Sequence, residues 1–515
     1  MTTIGLIIPP SSFLLDERVF PFLGILKVAS VLEVAKYEVE VLDLSGVKNY
    51  LDVLRLYLNQ TTASHIGVTS TTPQLPAAFQ IGNLIRQEKP NIKTILGGSH
   101  GTLVHAAVKR NCERSVKALQ RLSDNWDYIV TGDGEKAILS LLQNPEAGEM
   151  FLEKGARIVD GDDPKTELFL NNTEINTWPA RHLIDLPSYH YQIDGINATS
   201  LISQLGCPFR CNFCAGRRSP SLRRARFRPA YDVLGEVEHL YRHYGYKGFM
   251  FYDDELNVSR EMIDVMRGLI QIQERFKVEF RLRGFVKAEI FTEEQAEVMY
   301  QAGFRWILTG FESGSPRILK NIDKLATVDD NTRCVDIARK HGLKVKALMS
   351  LGHAGESLDT AEDTYQWLLK VQPDDFDVTI ITVYPGSAYH DDAIKAPNGD
   401  YVFKHPITGD LLYSEDVDYT NTADYYKGDP NDGYIAHVYT DHLTSKELVT
   451  SRMGIETNTR QMLNIKWNQA SQQKTYQASD LKSLSSDILR KSSDFKNPTI
   501  EAKRLTVLPV KGSVC

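Results

Sequence analysis

Twice along this chain, short apolar runs alternate with amphipathic helical stretches, and that rhythm permits few folds. In residues 1–140, strand-like runs fall at 4–8, 39–42, 66–68, 94–96 and 128–130, with helical spacing over 24–35, 77–87 and 106–122. From residue 199 the rhythm returns, with strands expected at 200–204, 248–252, 278–283, 306–311, 345–351 and 378–383. Helices are expected there at 231–244, 260–276, 293–302, 329–341 and 358–371. Short buried strands separated by helices predict parallel sheets. The expected fold is therefore α/β: a Rossmann-like, doubly wound sheet, then a partial (β/α)6 barrel. The expected domains are 1–150, a connector over 151–198, the barrel over 199–390, and a capping region over 391–515. The last ~40 residues, polar and rich in serine and lysine, are expected to be partly disordered.

Bulk properties exclude several classes. No run of about 18 apolar residues is present, so no membrane-spanning helix is expected. The amino-terminal stretch lacks a basic region ahead of a long apolar segment, so it does not read as a signal peptide. Half of the six cysteines sit in one cluster, while Cys112, Cys334 and Cys515 stand alone. That usage suits a reducing, cytoplasmic setting. A net charge of −7 argues against general binding to nucleic acid or anionic lipid.

Parallel sheets and β/α barrels bind ligands at the carboxyl ends of their strands. In the first sheet those ends carry Ser11, Ser12, Thr69, Ser70, Thr71, Gly97, Gly98, His100, Gly132, Gly134 and Glu135. In the second they carry Asp253, Asp254, Arg283, Glu312, Ser313 and Gly352. The first barrel strand runs into Cys207, Cys211 and Cys214, a C-x3-C-x2-C spacing. Clustered thiolates select zinc or iron–sulfur clusters. With no fourth cysteine nearby, a 4Fe-4S cluster would keep one iron open for catalysis. A zinc site completed from elsewhere fits the triplet as well.

The cysteine spacing, with Phe213 just before Cys214, resembles the radical S-adenosylmethionine (SAM) family. Phe-Tyr-Asp-Asp (251–254), Gly-Phe-Glu-Ser-Gly-Ser (310–315) and Tyr-Pro-Gly-Ser (384–387) resemble further motifs of that family. By this resemblance Cys207, Cys211 and Cys214 hold a 4Fe-4S cluster and initiate the chemistry. Phe213, Asp253, Asp254, Arg283, Glu312, Ser313 and Gly352 would line the SAM site. Ala354 stands where relatives carry proline.

Residues 21–26, 38–43, 96–100 and 127–135 resemble the cobalamin-binding domain that precedes many radical SAM domains. The eleven strand-end residues of the first sheet, Ser11 through Glu135, are then the cobalamin-binding candidates. The Asp-x-His-x-x-Gly motif of carriers that ligate cobalt through histidine is missing. The resemblance implies a cobalamin-dependent radical SAM enzyme, a methyltransferase acting on an unactivated carbon through a 5′-deoxyadenosyl radical and methylcobalamin. A radical rearrangement, cyclisation or oxidation without methyl transfer, and a non-catalytic metal or cobalamin sensor, are the alternatives. A methylthiotransferase is disfavoured, since those relatives carry three more cluster cysteines before the barrel. The arginine-rich stretch 217–228 is expected either to pair internally, to dock an acidic electron donor such as flavodoxin or ferredoxin, or to grip an anionic substrate.

Overall fold

Thr3–Ile8 (β1) is almost wholly shielded from solvent and pairs in parallel with Glu38–Asp43 (β2) and with His65–Thr69 (β3). The computed structural model describes residues 2–11, 16–151, 155–423, 434–467 and 484–495. Lys93–Gly97 (β4) and Tyr128–Gly132 (β5) continue the parallel sheet. Glu149–Met150 (β6) and Arg157–Gly161 (β7) complete one edge, β7 parallel to β5 and β6 antiparallel to β7. The first sheet thus runs past residue 150, into the stretch expected to be a connector. The single helix expected over 106–122 is two, Ser99–Val108 and Glu113–Asn125. Asn111 breaks them apart with a left-handed φ of 60°.

The second sheet has the order β16-β15-β14-β13-β12-β9-β8. Gln192–Ile193 (β8) caps one edge antiparallel to Ile196–Leu201 (β9). Gln204–Leu205 (β10) and Arg226–Phe227 (β11) form a separate ribbon that brackets the cysteine loop. Gly248–Phe251 (β12), Arg281–Phe285 (β13), Phe304–Glu312 (β14), Lys344–Leu351 (β15) and Asp375–Ile380 (β16) all run parallel to β9. These are the six expected β/α strands. Alternate residues of β12–β16 face the outer helices, where Phe249, Phe251, Leu282, Phe311, Val345 and Phe376 join one apolar core with helix residues such as Leu240, Leu269 and Leu368.

Ile394–Lys395 (β17), Tyr401–Lys404 (β18), Leu411–Ser414 (β19) and Val438–Tyr439 (β20) make a small antiparallel sheet. Helix Ser445–Leu463 follows, with Thr444 and Glu447 in a capping box. Leu489–Lys491 (β21) then returns to the first sheet and pairs antiparallel with β2. Part of the tail expected to be disordered is therefore a sheet strand, while 496–515 lie outside the described residues.

Candidate active site

The cysteine loop is pinned from several sides. Gly206 adopts φ +83°, and a side chain there would collide with the Arg224 carbonyl. Its N–H donates to Asp254 Oδ2 at 2.6 Å, and the Cys207 N–H donates to the Leu222 carbonyl at 2.9 Å. Asp253, buried, accepts from the Ser203 N–H at 2.6 Å, the Gln204 N–H at 3.0 Å and the Ser203 hydroxyl. It therefore spends its oxygens on the strand that feeds the loop. Farther along, Asn212 donates from its backbone to Ile322 and from its side chain to the Asn321 carbonyl, both at 2.8 Å.

Cys207, Cys211 and Cys214 are all free thiols on one loop. Three soft donors suit a 4Fe-4S cluster with one iron left open, whereas a structural zinc site takes four protein ligands. Burial pushes the Cys207 thiol up to about 12, with Glu255, Cys214 and Asp254 adding to the rise. Metal binding has to displace that proton.

Acids and lysines share this neighbourhood. Burial raises Glu255 to about 7, against the pull of Lys324 and Lys287. Lys324 Nζ lies 3.7 Å from Glu312 Oε1, and Lys287 Nζ lies 2.9 Å from Glu289 Oε1. Both lysines are almost fully buried. A ligand bearing ammonium, carboxylate and sulfonium groups would find opposite charges for each. Lys287 and Lys324 were not among the expected site residues. A lysine in a loop carries no sequence signal of burial.

Glu312 closes a directed hydrogen-bond chain. Its φ of 66° lies in the left-handed region, at the irregularity where β14 pairs β15. Ser350 Oγ lies 2.6 Å from Glu312 Oε2, His353 Nε2 lies 2.8 Å from Ser350 Oγ, and Tyr389 Oη lies 3.3 Å from His353 Nδ1. The carboxylate only accepts, so Ser350 donates to it and accepts from His353 Nε2–H. Tyr389 then donates to Nδ1. Burial pushes His353 down to about 3, which keeps the ring neutral, as the chain requires. The same ring meets Phe213 edge-on at 5.3 Å.

The other strand-end residues divide between cavity and framework. Ser313 is buried against Thr364, its hydroxyl accepting from the Ser315 N–H at 3.0 Å. Gly352 donates to Glu356 at 3.1 Å. Arg283 lies two residues short of the end of β13, with Nη1 donating to Tyr191 Oη at 2.7 Å. It is thus set about 7 Å below the strand-end layer at ~3.3 Å per residue.

A cavity of about 300 Å³ separates the first sheet from the cysteine loop. Thr69, Gly97, Gly98, Gly132, Gly134 and Glu135 line one wall, and Leu205, Gly206, Leu222 and Asp254 line the other. Gly98, at φ +95°, lies so close to the Ser70 backbone that no Cβ fits. Arg226 pairs with Asp133 across the two domains and ties these walls together. Four expected residues stand elsewhere. Ser11 donates its N–H to Glu17, Ser70 is wholly buried, and Thr71 caps a turn with Gln74. His100 is buried behind the cavity, its Nδ1 3.0 Å from Thr72 Oγ1. Ser12 lies outside the described residues. Among the described residues no histidine lines the cavity.

Most of the arginine-rich stretch is spent internally. Arg218 binds Asp392 at 2.6 Å, Arg228 binds Asp232 and Glu236, and Arg223 donates to the Phe209 and Pro208 carbonyls at 2.9 Å. Arg224 stays exposed, as does Arg210 within the cysteine loop.

Residues 201–368 match the Radical SAM superfamily. An uncharacterized methyltransferase of Pyrococcus horikoshii is 26% identical over 403 residues, 76% of this chain and 83% of that protein. The radical SAM methyltransferase TsrM of Kitasatospora setae, solved with tryptophan and a SAM analogue, superimposes with a TM-score of 0.60 at 18% identity. That match covers 76% of this chain and 75% of TsrM. The cobalamin-dependent SAM radical enzyme OxsB, solved with aqua-cobalamin, matches at TM-score 0.52 and 16% identity over 72% of this chain and 52% of OxsB. Both structural likenesses establish the shared fold. No helix among the described residues is long and apolar enough to cross a membrane.

Proposed function

We propose that this chain, a radical SAM enzyme by its central domain, uses cobalamin as a second cofactor and methylates a carbon of a small molecule. The observation that carries the reading is the cavity shared between the glycine-lined strand ends of the first sheet and the cysteine loop. Cobalamin held there would face the same space as a ligand on the cluster. When bound, the cluster and SAM supply radical initiation and the corrinoid supplies the methyl group. Cys207, Cys211 and Cys214 would hold the cluster. Asp254, Glu255 and Glu312 would meet the cationic groups of SAM, and Lys324 its carboxylate. Phe213 and Gly352 would border the adenine. Thr69, Gly97, Gly98, Gly132, Gly134 and Glu135 would cradle the corrinoid. The family's neighbours support this reading by name: methyltransferase for the archaeal relative and for TsrM.

An acidic one-electron donor of the flavodoxin or ferredoxin kind would approach over the exposed Arg210 and Arg224. The test is anaerobic purification after cobalamin-supplied expression. Corrinoid absorbance together with an iron–sulfur signal is expected, and about two SAM consumed per methylated product. Iron without any corrinoid would overturn the cobalamin part and favour radical chemistry without methyl transfer.

The chain from Tyr389 to Glu312 makes a narrower prediction. Ser350→Ala removes one hydrogen bond to a carboxylate, worth about 1.5–3 kcal/mol. The Kd for SAM is expected to rise about 10- to 100-fold, with iron content unchanged. Equilibrium dialysis with labelled SAM checks it. An unchanged Kd would remove Glu312 from the SAM site.

A further inference from the structure

Partway down the barrel interior stands an arginine without an acidic partner. On β13, Leu282 faces the outer core, so Arg283 and Phe285 face inward. Neighbouring cations are matched. Lys346 lies 3.0 Å from Asp375 and 2.8 Å from Asp377, Lys344 lies 3.5 Å from Asp194, and Arg460 lies 3.2 Å from Asp375. Arg283 pairs with no carboxylate among the described residues. One nitrogen, Nη1, donates to Tyr191, while Nε is buried with no hydrogen-bond partner. Trp306 supports the guanidinium from the side, 5.7 Å from its ring centre.

Above Arg283 one side of the wall is apolar, while the inward face of β15 and β16 carries Lys346, Asp375 and Asp377, paired with one another. Tyr252 is 51% exposed although it points into the barrel. Its ring lies 6.1 Å from Phe285 and 5.3 Å from Phe20. By strand alternation Leu308 and Leu348 share this inward face with Glu312 and Ser350. A cavity of about 710 Å³ opens below, at the amino-end mouth, where Arg283 and Trp306 meet Asp194, Asp374 and Asp375, so the guanidinium marks the boundary between this acidic mouth and the chamber above.

We propose that the barrel takes an organic acid: one carboxylate held by the fork of Arg283, and an aromatic or alkyl body lying against Tyr252, Phe285, Leu308 and Leu348. A planar guanidinium with donors to spare matches a carboxylate better than any neutral group. The height of Arg283 sets the substrate's length. Two residues of β13 separate it from the strand end, so the reacting carbon lies about 7 Å from the carboxylate. This rests on reading the barrel as the reaction chamber, and it adds the substrate's chemical class.

The probes are 2-naphthylacetate and its neutral primary amide, titrated by naphthyl fluorescence into cluster-loaded, SAM-bound protein. The acid is expected to bind at least tenfold tighter than the amide. Arg283→Gln should bring the two within about twofold, Arg283→Lys should restore part of the preference, and Arg281→Gln should leave it intact. Equal binding of acid and amide, no binding of the acid, or a preference that survives Arg283→Gln would each overturn the inference. SAM affinity is measured on the same samples. Its loss in Arg283→Gln would return this residue to the SAM site and overturn the inference. Failure of the unaltered protein to bind SAM would bring down the underlying functional reading as well.

Discussion

Replacing Cys211 by alanine is expected to abolish reductive cleavage of SAM, with 5′-deoxyadenosine formation falling at least ~10³-fold, a barrier increase of about 4 kcal/mol. Cys211 is the most enclosed of the three, 8% exposed, and its thiol is raised by burial, against the charges of Lys324 and Lys287. A three-ligand cluster has no spare thiolate to replace it, and the other described cysteines, Cys112 and Cys334, lie in other elements. Iron content is expected to drop from about four per chain to below about one. Cys334→Ala is the control. Cys334 is wholly buried in helix Val328–Lys340, so its loss costs packing and leaves iron in place. Iron analysis and electron paramagnetic resonance read the cluster, and product chromatography reads 5′-deoxyadenosine. Zinc in place of iron in the unaltered, anaerobically purified protein would refute the cluster.

The largest stability effect is expected at Glu236, far from any chemistry. Its carboxylate, 2% exposed, accepts from Arg181 at 2.8 Å and from Arg228 at 2.6 Å. Arg181 also donates to the Ser200 carbonyl, and Arg228 to the Ile202 carbonyl. These are residues of β9 and of the turn that leads to Cys207. Glu236→Ala leaves two buried guanidiniums short of charge, which costs about 3–5 kcal/mol. At about 2–4 °C per kcal/mol for a large domain, the melting temperature should fall by roughly 6–20 °C. Burial alone would raise this carboxyl, but Arg228 and Arg181 outweigh it and hold it below the usual range. The folded-state pKa is thus depressed, so its stabilisation is full above pH ~4.5 and is lost as pH falls through the folded value. Calorimetry from about pH 6 down to about pH 2.5 should show the gap between the unaltered protein and Glu236→Ala constant above pH ~4.5 and narrowing below it. A gap independent of pH would mean that packing, not charge, dominates there.

The sequence made the site legible wherever chemistry and position coincided. The cysteine spacing, the acids after β12 and the glycines after β4 and β5 each sit where a strand must end. Residues that serve the site through tertiary contact were silent. Lys287 and Lys324 look like surface lysines until folding buries them, and Arg181 and Glu236 meet 55 residues apart in sequence. Arg283 was read at the strand end because the start of β13 was set at 278, whereas pairing begins at Arg281. Similarly, β16 begins at Asp375, earlier than its apolar run, because its inward face is acidic and paired with Lys346. Internal pairing was one of the expectations for the arginine-rich stretch, but its partners could not be named, because Asp133, Asp232, Glu236 and Asp392 are scattered over some 260 residues.

β21 has a consequence for how the molecule is made. β2 is complete at Asp43, but the strand that covers its edge is Leu489–Lys491. At about 5–20 residues per second, a ribosome needs roughly 20–90 s to deliver that strand. Throughout that interval a buried-faced sheet shows a bare row of amides and carbonyls to its surroundings. Lys491 reaches Glu40 and Arg490 reaches Asp185 only at the end, closing the seam with ion pairs. Translation therefore hands the cell a first domain with one open flank, and a strand made more than 400 residues later acts as its selvage.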